Sequence, residues 1–160
     1  MDRFVSNVTT RLDAKGRISI PAPFRGVLAR DGFEGLYIHP ALDCPALDAG
    51  GNTLLNEIDV LLSTLSPYSD EQDRLATALF GTSEVLKLDS EGRVTLPETA
   101  KTHAGITDCV TFVGLGRKFQ IWEPERFRGH LDAARRTVRA FRNGGRALAA
   151  AEVPSGAPGR

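Results

Sequence analysis

The chain has 160 residues, 41% hydrophobic and 25% charged, the profile of an ordinary globular protein built as one mid-sized domain or two small halves sharing a core. Twenty basic residues balance twenty acidic ones, so the molecule as a whole has no net attraction for nucleic acid or an anionic membrane. No apolar run approaches the roughly 18 residues of a membrane span; the start, Met1 to Asn7, lacks the apolar core of a signal peptide, and the isolated Cys44 and Cys109 lack metal-type spacing and read as free thiols in a reducing cytoplasm.

Phe4, Val5 and Val8 open a first strand. It leads into Leu12-Asp13-Ala14-Lys15-Gly16-Arg17-Ile18-Ser19-Ile20-Pro21, where Ile18 and Ile20 alternate with Ser19 as in a half-buried strand. Gly16 suits a turn position of positive φ, and the Asp13 carboxylate can fold back onto turn amides. Pro21 ends the strand and suits the first turn of a helix. Phe24, Val27 and Leu28 give that helix one apolar face, with a stop near Asp31-Gly32. Leu36-Tyr37-Ile38 is a brief strand closed by Pro40.

The middle reads as a helical hairpin. Leu54, Leu55, Ile58, Leu61, Leu62 and Leu65 form a one-sided stripe that stops at Ser66-Pro67. Ser69 followed by Gln72 has the form of a capping box and opens a second helix through Leu75, Ala78 and Leu79 to Gly81. The opening decapeptide then returns as Leu88-Asp89-Ser90-Glu91-Gly92-Arg93-Val94-Thr95-Leu96-Pro97, each residue 76 positions beyond its match. A short helix runs to Ala104-Gly105. Val110 to Leu115 and Lys118 to Trp122 make a hairpin around Gly116-Arg117. Ile121-Trp122-Glu123-Pro124 echoes Tyr37-Ile38-His39-Pro40, which predicts that the first half has lost or severely shortened one strand of this hairpin. After Pro124 a helix carries Phe127, Leu131, Ala134, Val138 and Phe141 in a seam of heptad type, the pattern of an intramolecular core or of a contact between subunits. Beyond Asn143-Gly144-Gly145 the composition predicts a disordered tail.

Duplication establishes two homologous halves. By itself it leaves two uses for the turn open: a structural unit tied by Asp–Arg pairs, or a basic loop that meets a ligand. Charge segregation bears on that choice. Residues 1–30 hold six bases against two acids, residues 41–74 seven acids against Arg74 alone, and residues 126–146 seven arginines against Asp132. A basic face can therefore exist on a neutral molecule.

No catalytic constellation is present in the sequence. His39, His103 and His130 stand apart and read as surface histidines, and no phosphate-loop, metal-hydrolase or serine-hydrolase motif occurs. Asp13 and Asp89 each have an arginine four residues on, which keeps the carboxylates ionised and unsuited to acid–base work. The expectation is a protein that is not an enzyme, with no cofactor, metal, membrane or small-molecule substrate.

The two Asp-x-x-Gly-Arg turns, with Leu79-Phe80-Gly81 through Pro97, His103 to Thr107 and Phe119 to Glu123, resemble the MraZ family of bacterial transcriptional regulators, over roughly Met1 to Phe141. The resemblance implies an α+β fold, a tandem swapped-hairpin AbrB-like β-barrel pseudodimer with flanking helices. Its parts are a first half at 1–53, a connecting hairpin at 54–81, a second half with the C-terminal helix at 82–142, and a tail at 143–160. It also implies a cytoplasmic, nucleoid-associated homo-oligomer, ring-shaped, that binds direct repeats in double-stranded promoter DNA and represses the division and cell-wall gene cluster. By carry-over Arg17 and Arg93 are the signature arginines and Asp13 and Asp89 their partners, with Gly16 and Gly92 shaping the turns. Lys15, Arg11 and Arg3 join Arg17 and Arg93 as expected DNA contacts. The short stretch from Asp31 to Pro40 departs from the family pattern. So does Glu91 where the first copy has Lys15, and this divides the work: the first turn reads DNA and the second is mainly structural. Two other readings keep the fold, an oligomeric protein–protein scaffold and an antitoxin-like AbrB module.

Overall fold

The computed structural model describes residues 2–152, with side chains described as far as residue 144. Among the described residues eight strands and five α-helices give a mixed α+β fold. In chain order they are β1 (Asn7–Arg11), β2 (Arg17–Ser19), α1 (Ala22–Arg30), β3 (Leu36–Pro40), β4 (Leu47–Gly50), α2 (Asn52–Ser63) and α3 (Asp70–Ala76). There follow β5 (Glu84–Leu86), β6 (Arg93–Thr95), α4 (Glu98–Ala104), β7 (Cys109–Gly114), β8 (Phe119–Trp122) and α5 (Pro124–Glu152).

All strand pairs are antiparallel. Six strands lie in the order β1-β7-β8-β4-β3-β5, and β2 pairs with β6 in a sheet of its own. The described strands thus form two sheets and not the closed barrel that the resemblance implies. The six-strand order has a twofold logic. Counted inward from either edge, each strand meets its counterpart from the other half: β1 and β5, β7 and β3, β8 and β4. At the two edges β1 pairs with β7 and β5 with β3.

The local signals explain most elements. Pro21 sits at the entry to α1, whose Phe24, Val27 and Leu28 are buried, and Gly32 beyond its end takes φ +73°. In α2 the stripe buries Leu54 and Ile58. Ser69 Oγ accepts from the Gln72 amide at 3.2 Å, as a capping box requires, but the Gln72 side chain accepts from the Tyr68 amide at 3.1 Å and not from that of Ser69. The second helix closes in a π turn over Thr77–Gly81, where the buried Tyr37 hydroxyl donates to the Leu79 carbonyl.

The first half keeps its complete hairpin, contrary to expectation. β4 is four residues long, as β8 is, and the two pair side by side. The counterpart of β8 is therefore β4, and the likeness of Ile121-Trp122 to Tyr37-Ile38 is fortuitous. All four β4 residues are buried, so the strand shows no alternation, and Asp48 and Gly50 are poor strand formers. Other expectations also shift. Helix α5 runs through Asn143-Gly144-Gly145 to Glu152, well into the stretch predicted as a disordered tail, and residues 153–160 lie outside the described ones. His39 is buried, not a surface residue.

Both sheets contribute to one core. Ile18 and Val94 are register partners with almost no exposure, flanked by Ile20 and Leu96. Above them Phe4, Phe24, Phe112 and Phe119 form a ring cluster in which Phe24–Phe119 and Phe4–Phe119 centroids lie 4.9 Å apart. Each such side chain contributes about 1.5–3 kcal/mol by leaving water.

Between β4 and β8, in the middle of the six-stranded sheet, one face carries a buried polar network. Asp48 on β4 opposes Gln120 on β8, whose Nε2 donates to Asp48 Oδ1 at 2.9 Å. Lys118 Nζ donates to Asp48 Oδ2 at 3.0 Å, and Trp122 Nε1 donates to Gln120 Oε1 at 2.9 Å. Removing one member leaves the others desolvated and unpaired. Asp48→Ala is accordingly expected to lower unfolding free energy by about 3 kcal/mol, measured by urea denaturation; a loss near zero would show that this seam does not hold the halves together.

Candidate functional site

The two signature turns have the same internal bonding. Asp13 Oδ1 accepts from the amides of Lys15 and Arg17, both at 2.9 Å, while Oδ2 accepts from Arg17 Nε at 2.7 Å. Asp89 repeats this with the amides of Glu91 (2.8 Å) and Arg93 (2.9 Å) and with Arg93 Nε (2.8 Å). The backbone closes each loop, Gly16 N to Asp13 O and Gly92 N to Asp89 O, with φ +76° and +78° at the two glycines. Such values favour glycine. At Gly92 a Cβ would also stand 2.5 Å from the Cδ of Arg25.

These bonds set the charge state. The Arg93 amide is the largest influence on Asp89 and outweighs its partial burial; the Arg93 guanidinium and the Glu91 amide add to it, and the carboxyl is held down to about 2. Asp13 is lowered for the same reasons, led by the Arg17 amide, and the Arg93 guanidinium is raised, chiefly by its bond to Asp89. Both carboxylates are therefore ionised, hydrogen-bonded acceptors with no proton to give.

The β2–β6 pairing brings the turns together. Arg17 faces Thr95 and Ser19 faces Arg93 in register, and Arg17 Nη1 comes within 4.0 Å of Asp89 Oδ2. The two copies then diverge. Arg93 uses Nε on Asp89 and Nη2 on Glu91 Oε2 at 2.7 Å, so its fork is closed from both sides. Arg17 uses Nε on Asp13, and among the described residues its terminal nitrogens make one ion pair, the long approach to Asp89.

Of the other expected contacts, Lys15 is exposed at the tip of the first turn and Arg11 ends β1 beside it, where the Leu12 amide donates to the Asp108 carbonyl. Arg3 is not brought to this place. It precedes Phe4, which bridges Gly116 at the opposite end of the β1–β7 ladder. A base that the sequence reading did not single out does belong here. Lys101 of α4 shares a cleft of about 420 Å³ with Arg11, Lys15 and Gly16, and pairs with Glu98 at 2.7 Å. Its counterpart Arg25 of α1 packs on the Gly92 turn and donates from Nε to the Ile20 carbonyl at 3.1 Å. Each turn is thus flanked by a base from the other half. The offset of 76 that relates the turns also relates Arg25 to Lys101, and that was the available signal.

Among the described residues no cluster of three or more His, Cys, Asp or Glu is placed to hold a metal ion, and no helix is long and apolar enough to cross a membrane. The arrangement offers instead one open guanidinium edge with several cations around it. That combination suits a planar, anionic or acceptor-rich partner.

The family model described as "MraZ protein, putative antitoxin-like" matches residues 79–140. The chain is 68% identical over 142 residues to the transcriptional regulator MraZ of Beijerinckia indica subsp. indica, covering 89% of this chain and 87% of that one. The protein of the same name from Methylocella silvestris is 63% identical over 99% of this chain and 94% of its own length. That of Parvibaculum lavamentivorans is 39% identical over the whole of both.

The lowered Asp89 carboxyl links folding to acid. In the unfolded chain it titrates near 3.9 and in the folded one at about 2, so between about pH 4 and pH 2 the unfolded state takes up a proton that the folded state refuses. Its stabilisation is complete above that window and is lost as pH falls through it. In acid melts Asp89→Asn should flatten the decline in melting temperature between about pH 4 and 2; a slope equal to that of the unsubstituted protein would show that Arg93 and the turn amides do not hold this carboxylate.

Proposed function

The chain belongs to the MraZ family, and on that footing we propose that it is a sequence-specific, double-stranded-DNA-binding transcriptional regulator. Its relatives of up to 68% identity bear the name transcriptional regulator. In this reading the protein works in the cytoplasm on the nucleoid. It assembles as a ring-shaped homo-oligomer on direct repeats of a promoter and represses the division and cell-wall gene cluster.

One observation carries the reading: two duplicated turns lie side by side, yet only the first keeps an open arginine. An arginine on a β-turn can meet guanine O6 and N7 through two parallel hydrogen bonds, for about 1–3 kcal/mol of discrimination. Arg17 is that reader, with Nε pinned by Asp13 and the Nη edge left for the base. Lys15, Arg11 and Lys101 sit where phosphates flanking the base would run, and such contacts position without specifying. Arg93, closed by Asp89 and Glu91, braces the second turn. Arg3, at the far end of β1, contributes at most a remote phosphate contact.

The pairing of β1 with β7 and of β5 with β3 supports reading residues 1–53 and 82–142 as AbrB-like halves joined in a swapped-hairpin pseudodimer, with 54–81 as the connecting hairpin. A neutral subunit makes few phosphate contacts, so a single copy binds weakly. An assembly presenting several first turns to phased repeats gains through effective concentration.

Replacing Lys15 and Arg17 with alanine should leave the oligomer intact and remove binding to the promoter repeats in gel shifts at physiological salt. Lys15→Ala alone should reduce the log–log salt slope by about 0.9 per engaged subunit. Unchanged affinity in the double variant would refute the reading, and absence of DNA retention by the unsubstituted protein at any salt would favour a scaffold instead.

A further inference from the structure

Along α5 the heptad seam changes character. Phe127 is buried and Leu131 half-buried, whereas Val138 is 54% and Phe141 72% exposed. Four of the five seam residues are followed directly by arginine: Arg128, Arg135, Arg139 and Arg142. At about 100° per residue these arginines form a row along one flank of the seam. The outer part of the helix therefore presents two large apolar side chains edged with cations. A second α5 is a poor partner for it, because like charges would line the contact.

A complementary surface lies beside α2. A cleft of about 280 Å³ is walled by Ile58 and has Leu42 and Leu61, 52% and 45% exposed, at its lip. Its charged lining is acidic on balance. Asp43 is exposed, Glu57 is shared with Arg117, and buried Asp48 already binds Lys118, the lysine of the cleft. No arginine or lysine occurs from Ala41 to Asp73. Apolar walls with a carboxylate rim are what a helix bearing Val138, Phe141 and their arginines would fit.

We propose that the Val138–Phe141 turn of α5 in one copy seats in the α2 cleft of a neighbouring copy, with Arg139 and Arg142 facing Asp43 and Glu57. The partner is a second copy of this chain, and the contact is heterologous: every copy gives an α5 knob and receives one in its α2 cleft. Repeated head to tail, such a contact closes into a ring when its rotation allows. The inference rests on the proposed assembly and names the surfaces that make it.

Two variants test it, one without the knob (Val138→Asp with Phe141→Asp) and one without the cleft (Leu42→Asp with Leu61→Asp). All four positions are exposed, so thermal melts should match the unsubstituted protein. By light scattering the unsubstituted chain should exceed two copies per particle, and each variant alone should be a single copy. An equimolar mixture should give particles of two copies and no larger, since only one intact knob and one intact cleft remain per pair. Either variant assembling like the unsubstituted protein, or a mixture that stays single-copy, overturns the proposal and leaves the assembly itself standing. An unsubstituted chain that is single-copy overturns both. Loss of DNA retention by the α5 variant with assembly unchanged would assign this face to DNA and overturn the proposal as well.

Discussion

One carboxylate holding two backbone amides and one guanidinium shapes each of the duplicated turns. Asp13 does this for the first turn and Asp89 for the second. The bond to the amides fixes the loop, and the bond to Nε aims the arginine four residues on, so loop geometry and side-chain direction are set by a single group. Substituting it would release both together. The glycine inside each turn is the other half of the device, since its positive φ lets the chain reverse within the reach of an aspartate side chain.

Duplication supplied two such turns, and the pairing of β2 with β6 put them next to each other. The pair could have been symmetrical. Glu91 makes it otherwise, because it takes the terminal nitrogen of Arg93 that Arg17 keeps uncommitted, and because Lys15 stands where Glu91 would be. One arginine is thereby closed between two carboxylates, and the other keeps a terminal nitrogen open, as the proposed reader needs. The same economy runs through the charge distribution, where a neutral chain gathers cations around the first turn and along α5 and leaves the α2–α3 hairpin acidic.

The turns, the short helices and the β7–β8 hairpin were legible in the sequence because glycine, proline and the Ser69 cap act locally. β4 was not. Burial on both faces erases alternation, and Asp48 lowers the strand signal for a reason visible only when Lys118 and Gln120 arrive from 70 and 72 residues away. The pairing of β1 with β7 and of β5 with β3 is likewise long-range, and the separation of the strands into two sheets follows from pairings that no local pattern records. At the site, Asp13, Arg17, Asp89 and Arg93 could be read from their spacing. Lys101 and Arg25 carried only their shared offset of 76 as a signal, because on a helix they look like ordinary solvated bases until packing sets each beside the opposite turn.

The central claim is that the duplicated turns are unequal, with Arg17 meeting a base edge and Arg93 bracing the fold. Lysine preserves the charge of either arginine but not its planar fork. Selection of bound sequences from randomised promoter repeats, made with Arg17→Lys and with Arg93→Lys, therefore separates base reading from charge. The account predicts that Arg17→Lys loses preference for one guanine in each repeat while Arg93→Lys returns the unsubstituted profile. Equal loss in both, or loss in Arg93→Lys alone, would contradict it.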